Sequence, residues 1–204
     1  MTPHTALQTF YEDHPRMVSS PFGGVDGINR ALFLDTLRVL DISFEGKRVI
    51  DIGCGRGFAG ELVRDCGGAY TGLDFVCSRK GFPLILGDAA VLPFGDACFD
   101  RAMCIDASEH FPDPLRAAQE LYRVLKPGGV FFLSAPHYGN MAGVVKRVCE
   151  GLGWYPKNAW APFGRWEMQE CEQALTIRSI RTLYRTAGFS NFRYIAHAPE
   201  VGLG

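Results

Sequence analysis

The chain has 204 residues, enough for one domain with a sizeable core. Its 47% hydrophobic and 21% charged residues exclude a disordered or fibrous chain and predict a soluble globular one. A net charge of −1 gives no whole-molecule pull toward nucleic acid, and no stretch is long and apolar enough to predict a membrane span.

The N-terminal "MTPHTALQTFYEDHP" has no apolar run, so no signal peptide is expected. Seven cysteines, at 54, 66, 77, 98, 104, 149 and 171, include no CxxC pair. That pattern argues against a disulfide framework and against a metal centre, and fits reduced thiols in a cytoplasmic protein. Charge is uneven: residues 136–204 carry net +3, against −4 for the rest.

Along the chain, "RVIDIG", "AYTGLD", "PLILGD", "FDRAMCID" and "GGVFFLSAP" each read as a short buried strand ending in a turn or an acid. Helical patterns lie between some of them. In "DPLRAAQELYRVLKPGG", Asp113 is the expected N-cap and Pro114 the first helical residue. Leu115, Ala118, Leu121, Tyr122 and Leu125 form the expected apolar stripe, and Pro127-Gly128 the expected stop. A later helix, "TIRSIRTLYRTAG", sets Ile177, Ile180, Tyr184 and Ala187 on one side and closes at Gly188. Arg178, Arg181 and Arg185 share another face, read as solvated. Strands alternating with helices predict an α/β fold with a mostly parallel sheet covered on both faces. A ligand would then sit beyond the carboxyl ends of the strands, where Asp51, Asp74, Asp88 and Asp106 gather.

The stretch "VIDIGCGRG" decides which ligand. Gly53, Gly55 and Gly57 have dinucleotide-like spacing at first, but Phe58 stands where a third glycine is needed. No GKS or GKT follows, so a Walker loop is excluded too. Asp51 before the glycines would repel a phosphate and favour an ammonium. The glycines let backbone approach a ligand closely, and the N–H groups opening the next helix suit a carboxylate. Asp74, closing the second strand, can accept from both hydroxyls of a ribose.

In order, "VIDIGCGRG", "GLDF", "GDAAVLPFGDACFD", "EHFPDP" and "ELYRVLKPGGVFFLSAP" resemble the motifs of class I S-adenosylmethionine-dependent methyltransferases. The likeness is to the small-molecule group that includes ubiquinone-biosynthesis enzymes, and it runs from about Lys47 to Pro136. It implies a Rossmann-like sheet of six or seven strands, S-adenosyl-L-methionine as cofactor and S-adenosyl-L-homocysteine as product. By that resemblance Asp51, Gly53, Cys54, Gly55 and Gly57 surround the methionyl group, and Asp74 and Phe75 meet the ribose. Asp88 and the Ala89 N–H meet the adenine. Ile105 and Asp106 lie beneath the methionyl group, with His110 nearby. Taken alone, Asp88-Ala89 is equally a turn. Glu109 and His110 are equally loop packing. Asp100 is expected to fix a turn opening the fourth strand, and Asp96-Ala97 to be turn chemistry. Arg56 stands where the family commonly has a small hydroxyl residue. The 14 residues from Asp74 to Asp88 leave room for a turn rather than a helix.

Methyl transfer from a sulfonium is an in-line displacement, so alignment in a dry pocket matters most. A base is needed only where the acceptor must lose a proton early. The candidates are His137, first because it follows the fifth strand directly, then Asp106, His110 and Tyr138. The expected layout is a single domain: a helical lid over 1–45, the cofactor-binding core over 46–136, an aromatic-rich cap over 137–175, and a last helix and strand over 176–204. Tyr11 and Arg16 are the lid's expected contacts. Trp154, Trp160 and Trp166, with Tyr138, Tyr155 and Phe163, make the cap suited to an apolar, lipid-linked or aromatic acceptor. An RNA or protein methyltransferase is the first alternative, though "DASEH" stands where an NPPY or DPPY tetrapeptide would be. A protein that binds the cofactor without transferring methyl is the second.

Overall fold

The computed structural model describes residues 30–75, 83–139, 141–154 and 173–195. Tyr11, Arg16, Tyr155, Trp160, Phe163 and Trp166 lie outside the described residues, as do residues 76–82, where a turn is expected. The elements run α1 (Arg30–Leu40), β1 (Arg48–Ile52), α2 (Ala59–Asp65), β2 (Ala69–Asp74), β3 (Leu84–Leu86), β4 (Phe99–Ile105), α3 (Pro114–Val124), β5 (Leu125–Ser134), α4 (Met141–Gly151) and α5 (Ile177–Thr186).

The five strands form one sheet in the order β3-β2-β1-β4-β5, and every pair is parallel. The order reverses direction between β1 and β4, so a crevice opens at their carboxyl ends. Six or seven strands were expected. Five are present among the described residues, and residues 189–195, which follow the last helix, carry none.

Alternation along the strands builds two cores. Ile50 and Ile52 of β1 and Ala102 and Cys104 of β4 face Ala117, Ala118, Leu121 and Val124 of α3 and Tyr184 of α5. On the other side, Val49, Tyr70, Met103 and Phe132 face Phe33 and Leu37 of α1 and Leu62 and Val63 of α2. Each fully buried side chain of this size contributes roughly 1.5–3 kcal/mol. α1, at the end of the segment read as a lid, therefore packs its Phe33 edge-on to Phe132, with ring centroids 5.9 Å apart.

Helix α3 opens as read: the Asp113 carboxylate accepts from the Arg116 N–H at 3.0 Å, and Pro114 is the first helical residue. Its end and its stripe differ. The helix stops at Val124 because Leu125 is already extended and paired with Phe99. Pro127-Gly128 instead lie in a bulge of β5, since Arg101 next pairs with Val130. Tyr122 is half exposed, while Ala117 and Val124 take the inner face. Glu120 is buried because Arg123 pairs with it at 2.8 Å, and the same guanidinium reaches Asp96 and the Phe94 carbonyl at 2.8 Å. Asp100 does not make a local turn. It accepts the Arg48 N–H at 2.9 Å and the Lys126 ammonium at 2.8 Å, tying the starts of β1 and β4 to the bulge.

Candidate active site

The β1–α2 loop is stitched to the end of β2. The N–H groups of Gly53 and Cys54 donate to the Leu73 carbonyl at 2.8 and 3.2 Å, and that of Gly57 to the Cys54 carbonyl at 2.8 Å. Gly55 donates to the Asp74 carboxylate at 2.6 Å. These donors are therefore engaged inside the protein, and what the loop offers a ligand is close approach of its backbone. Gly53 has φ +71°, and a Cβ there would overlap the Cβ of Ala107. Only glycine lets the loop after β1 touch the loop after β4.

Asp51 sits at the crevice with 3% exposure. Its Oδ2 accepts from the Tyr70 hydroxyl at 2.8 Å, while Oδ1 is buried with no hydrogen-bond partner. Gly72, paired with Asp51 across the sheet, makes room: a Cβ there would lie 3.0 Å from the Tyr70 hydroxyl and 2.8 Å from the Cys54 sulfur. Burial pushes the Asp51 carboxyl up to about 7, against the hydrogen bond from Tyr70 and helped by the neighbouring Asp74 charge. An orphaned carboxylate oxygen is costly in a protein interior. A cation brought to it would remove that cost.

Asp106 follows β4 in the left-handed region, φ +46°. Such backbone is unfavourable for a residue with a Cβ, and it is held here from two sides. The Asp106 N–H donates to the Ser134 carbonyl and its carboxylate accepts from the Ser134 hydroxyl, both at 2.9 Å. Burial raises its carboxyl as well. Ile105, just before it, is half-buried. Cys104 lies among Glu109, Asp51 and Asp106. Burial first, then those carboxylates, push its thiol up, so it behaves as a small buried hydrophobe.

Asp74 and Phe75 are half-buried at the end of β2, and the Gly87 N–H donates to the Asp74 carbonyl at 3.0 Å. Asp88 follows β3 and shapes a turn, its carboxylate accepting the Ala90 N–H at 2.8 Å, with Ala89 buried. His110 ends a single 3-10 turn, Ser108–His110, with Nε2 4.0 Å from the buried Glu109 carboxylate. The chain returns to this place after α4. The Gln173 N–H donates to the Glu109 carbonyl at 2.9 Å, its side chain donates to the Phe111 carbonyl at 2.8 Å, and the Tyr138 N–H donates to the Leu175 carbonyl at 2.8 Å.

The structure thus gathers Asp51, the glycine loop, Asp74, Ile105 and Asp106 along one edge. It separates His137 and Tyr138, a few residues beyond β5, in environment. His137 is exposed, its ring over Gly139. Tyr138 is buried, its ring 6.0 Å from the Lys146 ammonium. Tyr70 and Ser134 went unread in the sequence. Each is a polar residue in an apolar strand, a signal that gains meaning only once the strand register is known.

Residues 50–133 match the family model described as a methyltransferase domain. The matched stretch runs from β1 almost to the end of β5, the part of the chain that is similar to that domain. A phthiotriol/phenolphthiotriol dimycocerosates methyltransferase of Mycobacterium tuberculosis is 37% identical over 136 residues, 59% of this chain and 49% of that protein. A fatty-acid O-methyltransferase of Mycolicibacterium smegmatis is 38% identical over 136 residues, 59% of this chain and 48% of that protein. The chain spans about half the length of the curated relatives it matches. An Archaeoglobus fulgidus SAM-dependent methyltransferase shares the fold with a TM-score of 0.58 at 20% identity, over 80% of this chain and 71% of that one.

Proposed function

We propose that this protein transfers a methyl group from S-adenosylmethionine to an oxygen, nitrogen or carbon of a small-molecule acceptor, and that the acceptor is a lipid. When bound, the cofactor supplies an electrophilic methyl carbon on its sulfonium. The observation that carries the reading is the buried, unpartnered Oδ1 of Asp51 beside a loop that only glycine can form. That oxygen would hold the amino group of the methionyl moiety. Asp74, oriented by Gly55, would accept from the ribose hydroxyls. Asp88 and the Ala89 N–H would meet the adenine, and Ile105 and Asp106 would floor the methionyl end, with Phe75, Cys54 and His110 around it.

The lipid acceptor is supported by the two mycobacterial relatives, whose names specify a dimycocerosate and a fatty acid. His137, exposed beyond β5, is the proposed base where the acceptor must lose a proton. Asp106, already bonded to Ser134, is proposed to orient the site rather than to take that proton. Tyr138 is proposed as a wall of the acceptor pocket.

The test is calorimetry and turnover. S-adenosylhomocysteine is expected to bind and NAD not to bind. Asp74→Ala should weaken the binding by roughly 1–3 kcal/mol, because two hydroxyls lose a charged acceptor. Release of S-adenosylhomocysteine on adding long-chain fatty acids or phenolic lipids would establish the acceptor class. Binding without release for any of them would leave a cofactor-binding protein instead.

A further inference from the structure

Helix α4 is inside out. Its inward side carries Lys146, only 1% exposed, whose ammonium bonds the Glu150 carboxylate at 2.8 Å and lies over the Tyr138 ring. Its outward side carries Val144, Val145 and Val148, continued past the helix end by Leu152 and Trp154, all between 46% and 72% exposed. These positions recur at helical spacing, so they form one row.

The row is ordered to its end. The Gly153 N–H donates to the Glu150 carbonyl at 3.1 Å and the Trp154 N–H to the Cys149 carbonyl at 2.9 Å, with Gly153 at φ +72°. This is the Schellman stop. It usually folds the following apolar side chain back on the helix, yet Trp154 is the most exposed member of the row.

We propose that this face of α4 docks on an anionic lipid surface. The proposal deepens the lipid-acceptor reading and rests on it for its purpose. The charge on the face fits: Arg147 is exposed among the valines, while Glu150 is turned inward to Lys146. Valine, leucine and tryptophan around a basic residue make an interfacial helix, with the arginine reaching to headgroups. The row exposes on the order of 500 Å², short of the roughly 800 Å² per partner of a standard protein interface, so a second copy fits it poorly. No described helix is long and apolar enough to cross a membrane, which leaves lying in the interface. The placement also suits delivery. α4 starts close behind β5, and a Cβ at Gly143 would overlap the Tyr138 carbonyl. The docking face is thus braced on the loop that ends at the crevice.

Flotation of the full chain with vesicles tests this. The protein is expected to float with equimolar phosphatidylcholine and phosphatidylglycerol. Val145→Asp with Val148→Asp should lower its partition by about tenfold or more. Arg147→Gln should lower it about two- to fivefold on the mixed vesicles and leave pure phosphatidylcholine unaffected. If the double variant fails to fold, Val145→Ser, at a half-exposed position, carries the same expectation with a smaller drop. A chain that stays unbound overturns the proposal. So does a dimer, seen by light scattering, that the aspartate variant abolishes without any vesicle binding. Flotation needs no turnover. Floating protein that methylates no lipid refutes the acceptor reading alone, and lipid methylation without flotation refutes the docking alone.

Discussion

Helices α3 and α4 are both eleven residues long and both amphipathic, yet they meet the protein with opposite faces. α3 turns Ala117, Ala118, Leu121 and Val124 into the core and leaves Arg116 outside. α4 turns Lys146 inward and leaves its valines outside. The first arrangement is what burial of apolar surface alone produces. The second leaves apolar area exposed and an ammonium desolvated, which is the arrangement the proposed lipid docking would use. One helix is scaffold; the other is an interface waiting for a partner phase.

The contrast has its largest test in stability. Leu121→Ala removes a fully buried side chain and should cost about 2–5 kcal/mol in denaturant unfolding, whereas Val148→Ala should stay within about 0.5 kcal/mol. Equal costs would mean that α4 packs like α3. Next comes Gly53→Ala, on the scaffold side of the contrast. Positive φ and overlap with Ala107 together should cost roughly 2–4 kcal/mol, and thermal unfolding would read it. A small cost would show that the β1 and β4 loops can part, and with them the crevice.

Smaller again is the buried pair. Lys146→Met alone takes the ammonium away from the Glu150 carboxylate and should cost roughly 1–3 kcal/mol; Lys146→Met with Glu150→Leu should restore most of it. Replacing a buried ion pair by apolar groups is often neutral. Flotation of that double variant should match the parent, since the outward row is untouched. Lost flotation would mean that the ion pair sets which face points out.

How far the sequence carried this picture follows from what decides each element. The five strands, and the acids that close or follow β2, β3 and β4, are legible because each strand carries a short apolar run that stops at a turn or an acid. The Asp113 cap is legible because capping is local. The end of α3 is not, because Leu125 is claimed by Phe99 on a distant strand. Asp100 and Tyr70 are misread or missed for the same reason: their partners, Arg48 and Asp51, are set by register. The row on α4 shows a further limit. Spacing says that Val144, Val145 and Val148 share a face, but not that the face looks outward.

Asp51 sharpens the comparison where the effect is smallest. Like Lys146 it is a buried charge, but Lys146 has an acid beside it and Asp51 has Tyr70 on one oxygen and nothing on the other. With its carboxyl pushed up from 3.8 to about 7, the folded chain holds a proton between those values that the unfolded chain has lost. That contribution to stability is full in acid and disappears as pH rises through about 7. Binding of a cation has the opposite sign, because the ammonium of a methionyl group needs the carboxylate. Affinity for S-adenosylhomocysteine should therefore be about tenfold weaker at about pH 6 than at about pH 8, the full effect of one group titrating near 7. Asp51→Asn should flatten the profile and raise the melting temperature of the ligand-free protein at the alkaline end. Calorimetric titration across that range reads the first effect and thermal unfolding the second. A flat profile in the parent protein would mean that the ammonium lands elsewhere, and that the unpaired oxygen of Asp51 serves no ligand.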